Sequence, residues 1–170
     1  MNRATQESST GCSGRMAGGF AGHLRVRSAA PGEMPDFAVL FEDPERRRWV
    51  VETLAAGGSR ALVVERFGGR AWIPAGRTVT AEDGETAVAL DQDDRGQGLA
   101  HEVLRAAVRV LREDPFTHLS ASIGADDAKA ARAFEKAGFA PAGPCRFRGR
   151  PATRYLRNLR GDCTPYNVWI

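Results

Sequence analysis

The chain has 170 residues, 42% of them hydrophobic and 26% charged, and a formal net charge of +3 at pH 7. That composition excludes fibrous, disulfide-rich and disordered classes and fits one globular domain, which buries roughly two-thirds of the surface its unfolded chain exposes. No apolar run approaches the roughly 20 residues that span a bilayer, and residues 1–10 lack the apolar core of a secretory signal, so the expected location is the cytoplasm.

Residues 1–22 are rich in Ser, Gly and Thr without periodicity and are expected to form a disordered tail. The single domain is expected over 23–160. Its first strand is the alternating stretch 23–27, broken by Pro31-Gly32 and followed by a short helix through Met34 and Leu40. Asp43-Pro44 opens a second helix, the aspartate capping free N–H groups and the proline fitting the first turn. Trp49, Val50, Thr53 and Leu54 form its apolar stripe, and Gly57-Gly58 ends it. Three strands follow, at 61–65, 70–73 and 86–90, with a hairpin turn at Phe67-Gly68-Gly69 and another at Glu82-Asp83-Gly84; Pro74 is expected to stop or bulge the middle one. Leu99, Val103, Ala107 and Leu111 repeat every four residues and predict a helix of about four turns. A short strand at 118–123 precedes a helix from Asp127 to Ala137 that buries Ala130, Ala131 and Phe134. Gly138 takes its C-cap place, and a final strand covers 152–157. From Gly161 onward, Trp169 included, there is no usable pattern. The order predicts an α/β fold around a mixed, largely antiparallel central sheet flanked by helices.

The three cysteines, Cys12, Cys145 and Cys163, are too widely and irregularly spaced for a metal cluster or a disulfide framework, and no metal is expected. Charge is unevenly laid out. Six acidic residues and no basic one lie between Glu82 and Asp94; six arginines and no acidic residue lie between Arg146 and Arg160. A basic segment of this kind suits nucleic acid. However, Arg146, Arg148 and Arg150 alternate around Phe147 and Gly149, which reads more simply as a solvated hairpin edge, and no nucleic-acid recognition motif stands beside it.

The stretch with most chemical content is Arg95-Gly96-Gln97-Gly98-Leu99-Ala100, between a strand and a helix. A chain that turns through glycines into a helix presents free backbone N–H groups to an anion such as a pyrophosphate. A third glycine and a downstream ribose-binding acid are missing, which excludes a repeating dinucleotide fold, and the Lys and hydroxyl of an ATP-type phosphate loop are absent.

These residues resemble the GNAT acyltransferase family, and within it the aminoglycoside 6'-N-acetyltransferases. The family's central signature is Gln or Arg, two residues, Gly, one residue, then Gly or Ala; Arg95, Gly98 and Ala100 meet it. A second block, Asp127 to Phe139 with its Glu-Lys-Ala-Gly-Phe ending, resembles the family's last helix and the strand after it, and the segments 112–115 and 151–156 resemble the aminoglycoside branch. The likeness is strongest over residues 86–158.

The resemblance implies acetyl-CoA as acyl donor, with its pyrophosphate against the N–H groups of Gln97 to Ala100, Gly96 and Gly98 leaving room, and Arg95 adding a charged contact. It places the thioester arm along the strand Val88, Ala89 and Leu90, where a backbone N–H faces the carbonyl. It implies an amine acceptor whose proton goes to a carboxylate, with Glu85 the first candidate and Asp91 the second. Where family members carry a tyrosine near the sulfur this chain has Phe134, which cannot donate a proton, so protonation of the leaving group falls to water or another residue; Tyr155 is one candidate, though a packing role on the last strand suits it better. The usual asparagine at the start of that helix is Asp127. The acidic stretch 82–94 with Glu42, Asp43 and Glu45 suits a polycationic sugar, whereas Trp72-Ile73-Pro74-Ala75 departs from the antibiotic-modifying pattern. The expected acceptor is an aminoglycoside or similar small amine, then a protein amine. A CoA-binding relative without turnover is the other reading. A two-fold dimer is the commonest assembly for such a domain.

Overall fold

The computed structural model describes residues 24–160. The two expected tails, His23, Cys12, Cys163 and Trp169 lie outside the described residues. The strands are β1 (Leu24–Ser28), β2 (Arg60–Phe67), β3 (Trp72–Thr80), β4 (Thr86–Leu90), β5 (His118–Gly124), β6 (Ala140–Phe147) and β7 (Arg150–Asn158). The helices are α1 (Met34–Val39), α2 (Pro44–Ala56), α3 (Ala100–Leu111) and α4 (Ala128–Lys136). None of the described helices is long and apolar enough to cross a membrane.

The strands form two antiparallel sheets, ordered β1-β2-β3-β4 and β5-β7-β6. They meet at one parallel bridge between Glu85 and Ser120, where Ser120 N donates to Gly84 O at 2.9 Å. Beyond that bridge β4 and β5 diverge. β4 is therefore paired along its length with β3 alone, and its other edge faces the opening between the sheets.

The hydrophobic pattern explains the layers. On one face α1 and α2 bury Phe37 and Val50 against Val63, Val79, Ala87 and Ala89. On the other, Leu104, Ala107, Val108 and Leu111 of α3 pack with Phe134 of α4 against Leu62, Leu119, Ala121 and Ile123. The every-fourth-residue repeat of α3 is this buried face. Gly76 lets α3 approach closely, since a Cβ there sits 2.8 Å from Val103 Cγ2 and 3.1 Å from Ala89 O. Pro74 bulges β3 but does not stop it. Val64 pairs with Gly76 and Glu65 with Pro74, so Ala75 is the extra residue, and the strand then continues to Thr80.

Capping follows the sequence. Asp43 Oδ2 accepts from Arg46 N at 3.1 Å and Asp127 Oδ1 from Ala130 N at 3.1 Å. Asp127→Ala leaves that first-turn N–H without its acceptor and should cost about 1 kcal/mol, a melting-temperature drop of roughly 3 °C, whereas Asp127→Asn should be close to neutral. Calorimetry on the two variants checks this; equal losses would remove the capping explanation.

Candidate active site

β4 leads into a loop that is held at four points before it turns into α3. Arg77 Nη1 pairs with Asp91 Oδ1 at 2.5 Å, and Arg66 Nε with Asp94 Oδ1 at 3.0 Å. Arg95 Nε donates to Leu90 O at 3.1 Å and its Nη2 to Leu40 O at 2.6 Å. So fixed, the chain passes through Gly96 (φ +77°) and Gly98 (φ +69°), left-handed conformations that side chains resist. A Cβ at either glycine meets nothing within 4 Å, so the space above them is open. The N–H groups of Gly96 to Ala100 donate to no acceptor among the described residues, and Leu99, the N-cap of α3, offers no side-chain cap. A 12-residue helix thus begins with its positive end bare beside an open concavity, a seat for a phosphate group.

A cleft of about 730 Å³ lies in the split between β4 and β5. Val88, Ala130 and Phe134 line it on the side of α3 and α4. Glu42, Asp43, Arg46, Phe147 and Arg150 line it on the side of α2, and Asp126 and Asp127 stand at the end of β5. A ligand seated on α3 and one lodged against α2 would meet at the open edge of β4.

The sequence of residues 23–140 matches the profile of the acetyltransferase (GNAT) domain. The chain belongs to the GNAT acetyltransferase family. Acetyl-CoA is the acyl donor of this family, and the bare helix start, the open glycine surface and the unpaired β4 edge fit its pyrophosphate and its arm. No curated protein sequence matches the chain. Its fold resembles that of the aminoglycoside acetyltransferase AAC(6')-Ib in complex with paromomycin and acetyl-CoA. The TM-score is 0.60 at 18% identity, over 82% of this chain and 99% of that one. The same enzyme with coenzyme A and kanamycin gives 0.59 at 19% identity, over 80% and 95%. A chimera of the spermidine N-acetyltransferase SpeG from Vibrio cholerae and hSSAT gives 0.60 at 16% identity, over 80% and 95%. At these identities the likeness is one of fold.

Within this GNAT scaffold the expected residues fall into two groups. Val88, Ala89, Asp127 and Phe134 line the cleft, and Gly96, Gln97, Gly98, Leu99 and Ala100 form the seat. Leu90 instead packs toward Val64 and Val103. The three guanidinium nitrogens of Arg95 donate to Leu90 O, Leu40 O and, through Nη1, Glu42 Oε1 at 3.2 Å. These bonds fasten the loop to β4 and to the end of α1.

The candidate acids and bases are each engaged by other side chains. Glu85 is buried at the apex of the split. Its Oε2 accepts from Ser120 Oγ at 3.1 Å and its Oε1 from Ser122 N at 2.9 Å, with Arg46 Nη1 3.6 Å away. Both oxygens are committed, which suits an anchor between the sheets more than a free base. Asp91 is engaged by Arg77 and does not line the cleft. Tyr155 lies in the core behind β7 and donates to Glu135 Oε1 at 3.3 Å; burial and then that carboxylate raise its pKa, so it holds its proton away from the cleft.

Arg46 was not singled out by the sequence, being one of three consecutive arginines on α2. Its Nη2 donates to Ser122 O at 2.5 Å, and its guanidinium lies 3.7 Å from the Phe147 ring centroid and 5.2 Å from that of Trp49. Burial lowers its pKa, and the charge of Glu85 partly offsets that. Only the facing of one helix turn separates Arg46 from Arg47 and Arg48, and that is set by tertiary packing.

Proposed function

We propose that the protein transfers an acetyl group from acetyl-CoA to a primary amine of a small polycationic molecule, an aminoglycoside or a polyamine. The observation that carries this reading is the cleft in the split between β4 and β5. It is lined by β4 residues Thr86 to Ala89, the strand that leads to the bare start of α3, and by Glu42, Asp43, Asp126 and Asp127. Two arginines share that lining, but Arg46 is matched by Glu85 and Arg150 by Asp43, which leaves it with surplus negative charge. The fold likeness to enzymes described with kanamycin and with spermidine supports the same acceptor class.

The donor supplies an activated acyl carbon and a good thiolate leaving group. The protein holds the amine against it and keeps an N–H of β4, among Val88 to Leu90, available to the carbonyl oxygen. The ammonium proton passes through cleft water to the exposed carboxylate of Asp126 at the mouth, since Glu85 and Glu42 are engaged by Arg46 and Arg95. Phe134, 2% exposed and packed edge-on to Phe139 at 5.0 Å, walls the donor side and has no proton to give, so the thiolate is protonated by water.

The test is free-thiol release from acetyl-CoA with kanamycin, spermidine, a monoamine and a lysine peptide. The expected result is turnover with the first two, at least about tenfold higher in kcat/KM than with the peptide. The absence of a proton donor at Phe134 favours a second reading, a CoA-binding relative without turnover. Tight coenzyme A binding with no thiol released from any acceptor would decide for it.

A further inference from the structure

The arginine-rich segment that looked like a solvated hairpin edge is tied to α2. Arg148 and Gly149 form the tip of the β6–β7 hairpin, both at positive φ (+48° and +81°), as in a two-residue type I′ turn. From this tip Arg148 pairs with Glu52 and lies 4.0 Å from Glu45 Oε2. Arg150 Nη2 pairs with Asp43 Oδ2 at 2.6 Å, and the Phe147 ring stacks on the Arg46 guanidinium. Among the described residues no backbone hydrogen bond joins α2 to this hairpin. The link therefore consists of side chains alone, and it lies across the mouth of the cleft that Asp43, Arg46, Phe147 and Arg150 line.

We propose that Arg148 and Arg150 latch the hairpin over the acceptor mouth, competing with the ammonium groups of an incoming acceptor for Asp43, Glu45 and Glu52. This rests on the amine-acetyltransferase reading above. The physical basis is exchange of like for like. Arg148 and Arg150 sit at the surface, where ion pairs are weak and screened by water and salt, so opening the hairpin costs little. A closely spaced polyammonium acceptor restores a cation to each carboxylate, and the released guanidinium groups return to water. A monoamine restores one cation at most and leaves the hairpin closed for most of the time. The hydrogen bond from Arg148 lowers the pKa of Glu52; at Asp43 burial opposes, but the hydrogen bond from Arg150 with that from Arg46 N outweighs it and lowers the pKa.

The experiment compares KM for spermidine and for butylamine in the wild type and in the Arg148→Ala/Arg150→Ala variant, by thiol release. The expected result is a KM lowered about fivefold for both amines, because neither has to displace the arginines any longer, with the ratio of the two KM values changed by less than about twofold. Glu52→Gln, which loosens the same link from its other side, should lower the butylamine KM in the same direction. No shift in either amine, or a shift confined to one of them, would overturn the proposal. If the wild type acetylates neither amine, the function reading fails, and the hairpin is judged separately by hydrogen exchange. Amides of residues 145–151 should then exchange about threefold faster with millimolar spermidine than with butylamine at equal ionic strength; identical rates would overturn the gate on its own.

Discussion

Gly98→Val is expected to raise the KM for acetyl-CoA by roughly a hundredfold, a loss of about 2.7 kcal/mol in donor binding. Two separate effects combine. Gly98 has φ +69°, where a β-branched side chain is strained by roughly 1–2 kcal/mol. The loop relieves that strain by turning the peptide units on either side, which takes the N–H groups of Leu99 and Ala100 out of line with the phosphates. In addition the new side chain projects into the open space above the loop, where nothing lies within 4 Å. Because no protein atom crowds that space, the substitution should perturb ligand binding more than packing. Gly69→Val is the control. It carries the same backbone strain, at φ +91° with nothing within 4 Å, on a hairpin tip outside the cleft. It should lower thermal stability about as much as Gly98→Val and leave the acetyl-CoA KM unchanged. If the two variants bind coenzyme A equally well, as read by calorimetric titration, the seat at the start of α3 is assigned wrongly.

The backbone geometry of the turn into α3 was legible because local sequence dictates it. A glycine pair between a strand and an amphipathic helix fixes positive φ and a bare helix start, and both are properties of a few consecutive residues. The caps at Asp43 and Asp127 were legible for the same reason. What the sequence left open depends on which charges find each other across the fold. Arg95 reads as a phosphate contact in its own hexapeptide, yet its nearest acceptor, Leu40 O, is 55 residues away. Glu85 reads as a free carboxylate at the head of β4 until the second sheet brings Ser120 and Ser122 beside it, 35 and 37 residues on. The arginines of the β6–β7 tip read as solvated because alternation along a hairpin says nothing about the helix that packs over it. The strand carrying Trp72 was drawn too short for a different reason. Proline removes one N–H from a ladder, and the bulge at Ala75 absorbs that loss without ending the strand.

Glu85→Gln should destabilise the fold by about 3 kcal/mol and take most of the activity with it, through Arg46 rather than through loss of a base. With the carboxylate neutral, Arg46 keeps a guanidinium that is 14% exposed and has lost its ion-pair partner among the described residues, close to the Phe147 ring. That buried charge draws water into the apex of the split, and the geometry of β4 against β5 at the Glu85–Ser120 bridge degrades. The distinction between anchor and base lies in the second substitution. Adding Arg46→Met to Glu85→Gln removes the stranded charge, and a thioether fills much of the same volume. If Glu85 is an anchor, the double variant regains about half of the lost stability or more, and kcat recovers with it by at least tenfold over Glu85→Gln. If Glu85 is the base, stability returns while kcat stays low, and the acidic limb of the kcat/KM profile against pH disappears in both variants. Urea denaturation and thiol release on the same four proteins, wild type, two single variants and the double, close the cycle. The anchor assignment predicts that the coupling energy in stability and the coupling energy in turnover share one sign, because one pair of charges at the fork of the two sheets sets both.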